Sequence, residues 1–573
     1  MAHLRDLLVR WRTIIIVCAA VFGFIIYSTH IANIQQRVGT CFTGEHLIST
    51  LETFKKRSNV LESPVLRHKR NVPTNSSSSI TSPKVLMSSV TVYYVWCQSQ
   101  YFEFRHYLSV KSAIQNLQPH NVILYYQYYP YIDNKLYNTW LSELQQEFPF
   151  FETVEASSES CDNGRPSPSF VYQLTNERKG IYLGENTIIT QPLPEKYHTV
   201  LSAVRENTGD IEVLVINEKL PCEPNLTVIS DQSILLDCPL VTGLDNATDL
   251  PSCIVLDKAL FPKHIWYLEN AFGRFARKIF YGSSDVPVLK PSYDELVPNI
   301  GHMIWFGGGQ MDFLFFLGVL SFLYVAEVDT VYIHGDQPPS GYYWSLLKDN
   351  PRVIHMPYYG SHMIYGQNVK HTYHKSDVLR VELMYRYGGI YLDTDAVFVR
   401  ALDSEMRGYD AIASYDWIDW DHPFPAIINF GVTIGKKKAE FWRLFRESMK
   451  WFKDDDFSWN GLRRPYQVLE RHRNLIRIDP RLQVICFNLK CHATWWEKFQ
   501  DAKFHPGNTA LDWRKDAYAF HWTSPTPSAL RGYDQLFKSV GMFADIGKYI
   551  LNRSGLTDHF TRKLSDSHAF SFR

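Results

Sequence analysis

The stretch Arg386-Tyr-Gly-Gly-Ile-Tyr-Leu-Asp393-Thr-Asp395-Ala-Val-Phe-Val-Arg400 constrains this chain more than any other. Ile390, Tyr391, Leu392, Val397, Phe398 and Val399 are β-formers in a short apolar run, which predicts a buried strand. Gly388 and Gly389 permit the sharp entry turn. Two carboxylates sit one residue apart, so on an extended chain they point to the same side. Desolvating two unpaired carboxylates together is costly. A hard divalent cation removes that cost, because it prefers carboxylate oxygens.

A D-x-D pair alone is a weak signal, and Asp419-Trp-Asp421 and Asp454-Asp-Asp456 also fit it as loop acids. The setting separates the first pair from the others. His374-Lys-Ser-Asp-Val-Leu-Arg-Val-Glu-Leu-Met-Tyr-Arg386 reads as an amphipathic helix running into the glycine pair, with Ser376 as its N-cap. Asp377 and Arg380 then share a face near its start. The alternative for these two is an intrahelical ion pair.

The combined pattern, S-D-x-x-R followed by Y-G-G-I-Y-L-D-T-D, resembles the DXD sugar transferases of glycosyltransferase family 32. This group includes α1,4-galactosyl- and N-acetylglucosaminyltransferases, yeast mannosyltransferases and the glucosylating clostridial toxins. The resemblance spans roughly 297–530 and is strongest over 374–400. It implies an α/β fold of GT-A type, a Rossmann-like mixed sheet with flanking helices. It also implies a nucleotide-sugar donor (a UDP-sugar is expected), a glycan acceptor on lipid or protein, Mn²⁺ or Mg²⁺ as cofactor, and retention of anomeric configuration.

Carried over residue by residue, the resemblance makes Asp395 a metal ligand. It gives Asp393 both a supporting metal role and contact with ribose or sugar hydroxyls. Asp377 and Arg380 become donor-sugar contacts, with Tyr391 in the same donor-binding set. Asn299-Ile-Gly-His-Met-Ile-Trp305-Phe-Gly307 matches the family's opening strand, and Trp305 would stack on the nucleobase; a core tryptophan is the alternative. Asn429-Phe-Gly431 departs from the family's Asn-Gly element, so Asn429 is a weak donor-binding carry-over. His521 is the candidate third metal ligand, against a packing histidine. The aromatic, acidic run Tyr415–Asp421 is a candidate acceptor loop. Gly307-Gly-Gly309 lacks the Lys and Ser/Thr of a P-loop.

The chain also compares with itself. Val95-Trp96 and Ile304-Trp305, Val122–Tyr125 and Val331–His334, and Gly180–Leu183 and Gly389–Leu392 are all 209 positions apart. A fixed offset at three points indicates duplication. In the first copy Leu183 is followed by Gly-Glu185-Asn, so the acid pair is missing. Ser167–Lys179 reads as too short and turn-rich for the S-D-x-x-R helix. The expected organisation is a degenerate GT-A-like domain over 90–260, a connector over 261–296 and a catalytic domain over 297–573.

Arg5, Arg10 and Arg12 precede an uncharged apolar segment, Thr13–Thr29. This predicts a cytoplasmic tail (1–12) and a transmembrane signal anchor (13–30), with a cleaved signal peptide as the alternative. Residues 31–89 read as a stem containing Asn75-Ser-Ser-Ser-Ser79. Its Arg67-His-Lys-Arg70 is a basic processing site or a solvated charge cluster. Sequons at Asn75, Asn225, Asn246 and Asn552 agree with a lumenal location, so a single-pass Golgi membrane protein is expected. Eight of the nine cysteines lie beyond the anchor and are free to form disulfides in that compartment, with no C-x-x-C pair among them. The 59 basic and 59 acidic side chains balance, which gives no support for a nucleic-acid partner. Two other functions compete: a glycan-binding or chaperone-like protein without catalysis, and a D-x-D phosphotransferase.

Overall fold

The computed structural model describes residues 90–570, apart from 132–136, 194–199, 205–209, 217–232, 236–237, 242–249, 360–362, 418–423, 489, 493–502 and 505–510. The predicted tail, anchor, stem, Arg70 site, Asn75, Asn225, Asn246 and Asp419–Asp421 lie outside the described residues. Among the described residues no helix is long and apolar enough to cross a membrane. Asn552 is exposed near the end of a helix, Met542–Arg553. Everything below belongs to one compact unit, Val85–Arg573.

Two seven-stranded mixed sheets organise this unit. The first contains β1 (Thr91–Trp96), β2 (Asn121–Tyr126), β3 (Phe151–Glu155), β4 (Ile181–Leu183), β5 (Val200–Val204), β6 (Ile211–Ile216) and β7 (Ser233–Leu235), in the order β3-β2-β1-β4-β6-β5-β7. The second contains β8 (Ile300–Ile304), β9 (Thr330–Gly335), β10 (Val353–Pro357), β11 (Gly389–Leu392), β13 (Ala411–Tyr415), β14 (Ile428–Gly435) and β15 (Arg477–Ile478). Its order is β10-β9-β8-β11-β14-β13-β15, with β12 (Ala396–Phe398) outside it. The orders coincide strand for strand. So do the directions: in each sheet only the strand after the central one is antiparallel to its two neighbours. The central registers coincide as well. Thr91 faces Asn121 and Val92 faces Ile181, as Ile300 faces Thr330 and Gly301 faces Ile390.

The helices follow the same plan. In the first half α1 (Phe104–Leu117) and α2 (Trp140–Glu147) flank β2, and α3 (Pro168–Arg178) leads to β4. In the second half α4 (Phe313–Tyr324) and α5 (Gly341–Ser345) flank β9, and α6 (Thr372–Tyr387) leads to β11. The expectation that no helix precedes β4 is corrected here. Ser167-Pro168 supplies the start, since proline suits the first helical turn, and eleven residues fold as α3. Two further helices, Pro262–Tyr267 and Ala271–Tyr281, occupy the expected connector. Helix α4 is apolar almost throughout, and Phe313–Leu323 are all buried. A helix hydrophobic on every side must be covered on every side.

Helix α6 starts at Thr372 with His371 as N-cap, five residues before Ser376, which was expected to cap it. Ser376 instead lies inside the helix, with its hydroxyl 3.5 Å from the Tyr391 hydroxyl. The helix ends where Gly388 and Gly389 take φ of +64° and +105°, which side chains rarely adopt. A buried histidine pair holds this turn. The Gly388 carbonyl can only accept, so His302 Nε2–H donates to it at 3.0 Å, and His302 Nδ1 accepts from His334 Nε2–H at 3.0 Å.

Burial pushes the His302 pKa down to about 4, although the Gly388 bond opposes it; His334 is pushed to about 3 by burial and by His302. An unfolded histidine titrates near about 6.5, so the unfolded chain binds these protons first. Stability is therefore full above that pH and lost as pH falls towards 4, by about 3 kcal/mol from His302 alone. Chemical denaturation between pH 7 and pH 4 measures the slope. An equally steep slope in His302→Asn would assign the loss elsewhere.

Candidate metal and donor site

The site forms where β11 ends. Asp393 follows the strand, its backbone N–H donating to the Gly431 carbonyl of β14 at 2.7 Å. Three residues on, β12 pairs with β19 (Ala519–Ser524), and with β16 (Val484–Phe487), β17 (Lys490–His492) and β18 (Lys503–Phe504) the two strands form a separate five-stranded sheet. That pairing sets Ala396 opposite His521. A ligand from the far end of the chain is thereby brought against the aspartates.

His521 Nε2 lies 3.2 Å from Asp395 Oδ1 and 3.8 Å from Asp393 Oδ2. One ligand atom from each of the three residues lies within 4.8 Å of the others. The imidazole is oriented from behind. Gln483 Nε2 donates to the Asn429 carbonyl at 3.0 Å, which turns Gln483 Oε1 towards His521 Nδ1 at 3.2 Å. His521 Nδ1–H donates there, and Nε2 is left facing the carboxylates. This is the arrangement in which an outer partner fixes the tautomer of a ligating histidine.

The electrostatics describe one deficit. Burial and the Asp395 charge hold the Asp393 carboxyl above the usual range, against Arg380 and His521. For His521, burial pulls the pKa down, but Asp395 and Asp393 overcome it and push it up to about 9. Negative charge is concentrated here without enough positive charge beside it. Two carboxylates and an imidazole are a donor set that a divalent cation fits.

The donor-side residues gather around the other Asp393 oxygen. Asp393 Oδ1 accepts from Tyr391 Oη at 2.7 Å and from Arg380 Nη2 at 3.1 Å. Arg380 lies over the Tyr391 ring at 4.6 Å and 3.8 Å from Asp377 Oδ1. The buried Arg380 Nε has no hydrogen-bond partner among the described residues. Burial raises the Asp377 pKa to about 6, against Arg380 and His374. Tyr391 is fully buried, so it orients Asp393 and Arg380 from below.

Trp305 directly follows β8, the strand beside β11. It is half-buried and tilted on Phe315 at 5.0 Å, with a buried indole N–H that has no hydrogen-bond partner among the described residues. Asn429 is turned inward. Its Nδ2 donates to Asp416 Oδ2 at 2.9 Å and its Oδ1 accepts from the Gly431 N–H at 2.7 Å, so both ends of the amide are engaged by protein.

Sequence reasoning missed Gln483 and Gly461, which give no local signal, and it placed Asp416 in a candidate acceptor loop rather than behind Asn429. A Cβ at Gly431 would lie 2.2 Å from His521 Cε1 and 2.9 Å from Asp393 Oδ2, so only glycine lets the site close. A Cβ at Gly461, within a π-helical turn (Trp459–Arg463), would come 2.7 Å from Asp377 Oδ1. Such π-turns recur at functional sites.

The first sheet carries a different chemistry at the matching positions. Gly184 and Asn186 stand where the second has Asp393 and Asp395. Thr187 faces Val255 as Ala396 faces His521. The Gly184 N–H bonds the Glu212 carbonyl, as Asp393 does that of Gly431. The Gly431 position thus holds a glutamate, whose carboxylate fills the space an aspartate side chain at 184 would need: a Cβ there would lie 2.4 Å from Glu212 Oε2.

Glu185 accepts from Gln100 Nε2 at 2.9 Å, and burial raises its pKa to about 7. Its stability contribution is therefore full below the unfolded value of about 4.3 and lost as pH rises through 7. Glu185→Gln is expected to leave sugar transfer unchanged and to be less destabilised than the parent between pH 6 and pH 8. Rate assays and thermal melts at both pH values test this, and a loss of transfer would place Glu185 in the reaction.

Residues 330–413 match the family model for the glycosyltransferase sugar-binding region containing DXD motif. This interval runs from β9 to β13 and includes Asp377, Arg380, Asp393 and Asp395, which meets the expectation of a DXD sugar-binding region. A curated relative, Glucan organizing enzyme 1 of Cryptococcus neoformans var. grubii, is 33% identical over 125 residues, 20% of this chain and 34% of that protein. The chain thus spans about a third of that relative's length. Among solved structures, the galactosyltransferase LgtC in complex with donor and acceptor sugar analogs shares 13% identity over 45% of this chain and 95% of its own, at a TM-score of 0.27. The PaToxG glycosyltransferase shares 15% identity over 31% of this chain and 70% of its own, at a TM-score of 0.24.

Proposed function

We propose that this protein is a metal-dependent glycosyltransferase of the family 32 type, moving a sugar from a UDP-sugar to a glycan acceptor on lipid or protein with retention of configuration. The observation that carries the reading is the convergence of Asp393, Asp395 and His521 within a matched DXD region. In this reading residues 297–573 are a catalytic GT-A-type domain. Residues 90–260 are a degenerate copy of it, supported by the shared strand order of the two sheets.

Asp393, Asp395 and His521 would hold Mn²⁺ or Mg²⁺, with the mixed oxygen and nitrogen donors favouring Mn²⁺. When bound, the cation neutralises charge growing on the leaving diphosphate. Arg380 offers its remaining guanidinium donors to the donor phosphate or sugar, and Asp377 accepts from sugar hydroxyls. Trp305 presents its indole to the nucleobase. Asn429 acts through Asp416 and Gly431 rather than on the sugar. A Golgi lumenal location, anchored by residues 13–30, is the setting we propose. It is supported by three disulfides (Cys97–Cys161, Cys238–Cys253, Cys486–Cys491) and by the exposed sequon at Asn552.

The test is a screen of UDP- and GDP-sugars against the purified full chain, with and without chelator. Transfer or donor hydrolysis is expected only with divalent cation, and restored by Mn²⁺. Tight glycan binding with no donor binding at any metal concentration would instead favour a non-catalytic glycan-binding protein.

A further inference from the structure

A cavity of about 570 Å³ opens between α2 and two helices of the second half, α7 (Glu440–Ser448) and α8 (Arg464–Arg471). That volume lies within the range of about 300–1,000 Å³ typical of ligand pockets. It is separate from the aspartate site, although one wall continues into the π-turn whose Gly461 packs on Asp377.

Three basic side chains, Lys450, Arg464 and Arg471, line the walls against two acidic ones, Glu143 and Glu447. Arg471 lines the cavity, but its guanidinium binds Glu143 and lies over Trp140 at 4.1 Å. Glu447 is bound by Arg443. Arg464 and Lys450 have no carboxylate in ion-pair contact among the described residues. Arg464 Nη1 donates to Gln467 Oε1 at 2.5 Å, its guanidinium lies 5.3 Å from the Trp459 ring centre, and its buried Nε has no hydrogen-bond partner among the described residues. Burial and the neighbouring Arg471 charge lower its pKa to about 10, although Glu143 opposes this. A half-buried guanidinium facing a cavity is stabilised by an anion, which it can take through two parallel donors.

The other walls suit a sugar. The Trp451 side chain is 59% exposed at the cavity. Ser142 and Gln146 add groups that hydrogen-bond hydroxyls, and aromatic faces pack against apolar ring surfaces.

We propose that this cavity binds an acidic saccharide, its carboxylate or sulfate on Arg464 and a ring against Trp451. The site draws on both halves of the molecule, which gives the half without the acid pair a part in recognition. The proposal rests on the cavity and does not require the transfer reaction.

Calorimetry on the full chain, without nucleotide-sugar, tests it with a heparin-derived tetrasaccharide, neutral chitotetraose, a polyglutamate peptide and inorganic sulfate. The acidic tetrasaccharide is expected to bind at least about tenfold more tightly than the other three, and Arg464→Gln and Trp451→Ala are each expected to weaken it by about tenfold. Because Trp451 is exposed, its variant is expected to keep the parent melting temperature. Equal affinity for any of the other three probes, or unchanged affinity in either variant, overturns the proposal. Donor hydrolysis, measured in parallel, is expected to persist in both variants, so failure here is distinguishable from failure of the transferase reading.

Discussion

Asp395→Ala is expected to lower sugar transfer by about a thousandfold or more, roughly 4 kcal/mol of transition-state stabilisation. The side chain is 42% exposed, but its carboxylate faces buried His521 Nε2 at 3.2 Å and is the main charge that raises the imidazole pKa, so its removal costs the metal-free protein some stability. The variant and the parent are therefore compared at a temperature where both are fully folded. Two measurements check the mechanism together: transfer rate across a Mn²⁺ titration, and Mn²⁺ affinity by the loss of free-ion paramagnetic signal. Both should fall in fully folded protein. Unchanged transfer with unchanged metal dependence would sink the proposed mechanism.

Gly431→Ala should inactivate nearly as strongly without touching a functional group. Its Cβ would overlap His521 and crowd Asp393. Overpacking of this kind costs about 1–3 kcal/mol of stability. A displacement of about 1 Å in a catalytic group lowers rates by about a hundredfold. Activity, metal affinity and melting temperature should be read at a temperature where the variant is fully folded. If transfer falls only in step with the unfolded fraction, the glycine matters for stability alone. Loss of activity and metal affinity in fully folded protein supports its role in letting the histidine reach the aspartates.

Much of the site was legible because its parts are local. Asp377 and Arg380 share a face by helical spacing, Asp393 and Asp395 converge by strand spacing, and Gly388-Gly389 sits where positive φ is needed. Helix α3 was missed because its burial, not its propensity, holds it: Val171, Tyr172 and Leu174 pack into the first sheet's core. The cap of α6 was placed five residues late because His371 is a poor capping residue by type.

The sequence alone determined the acid pair, the helix that precedes it, the candidate histidine and the repeat at a constant offset. These follow from periodicity along the chain. The tertiary structure alone decided what meets across strands. Antiparallel pairing of β12 with β19 brings residue 521 to residue 396, and Gln483 then fixes the imidazole. The same pairing logic places the Glu212 carboxylate of the first half in the space that a side chain at position 184 would need. No spacing rule along one strand reports such a placement, because it is set by the register between two strands distant in sequence.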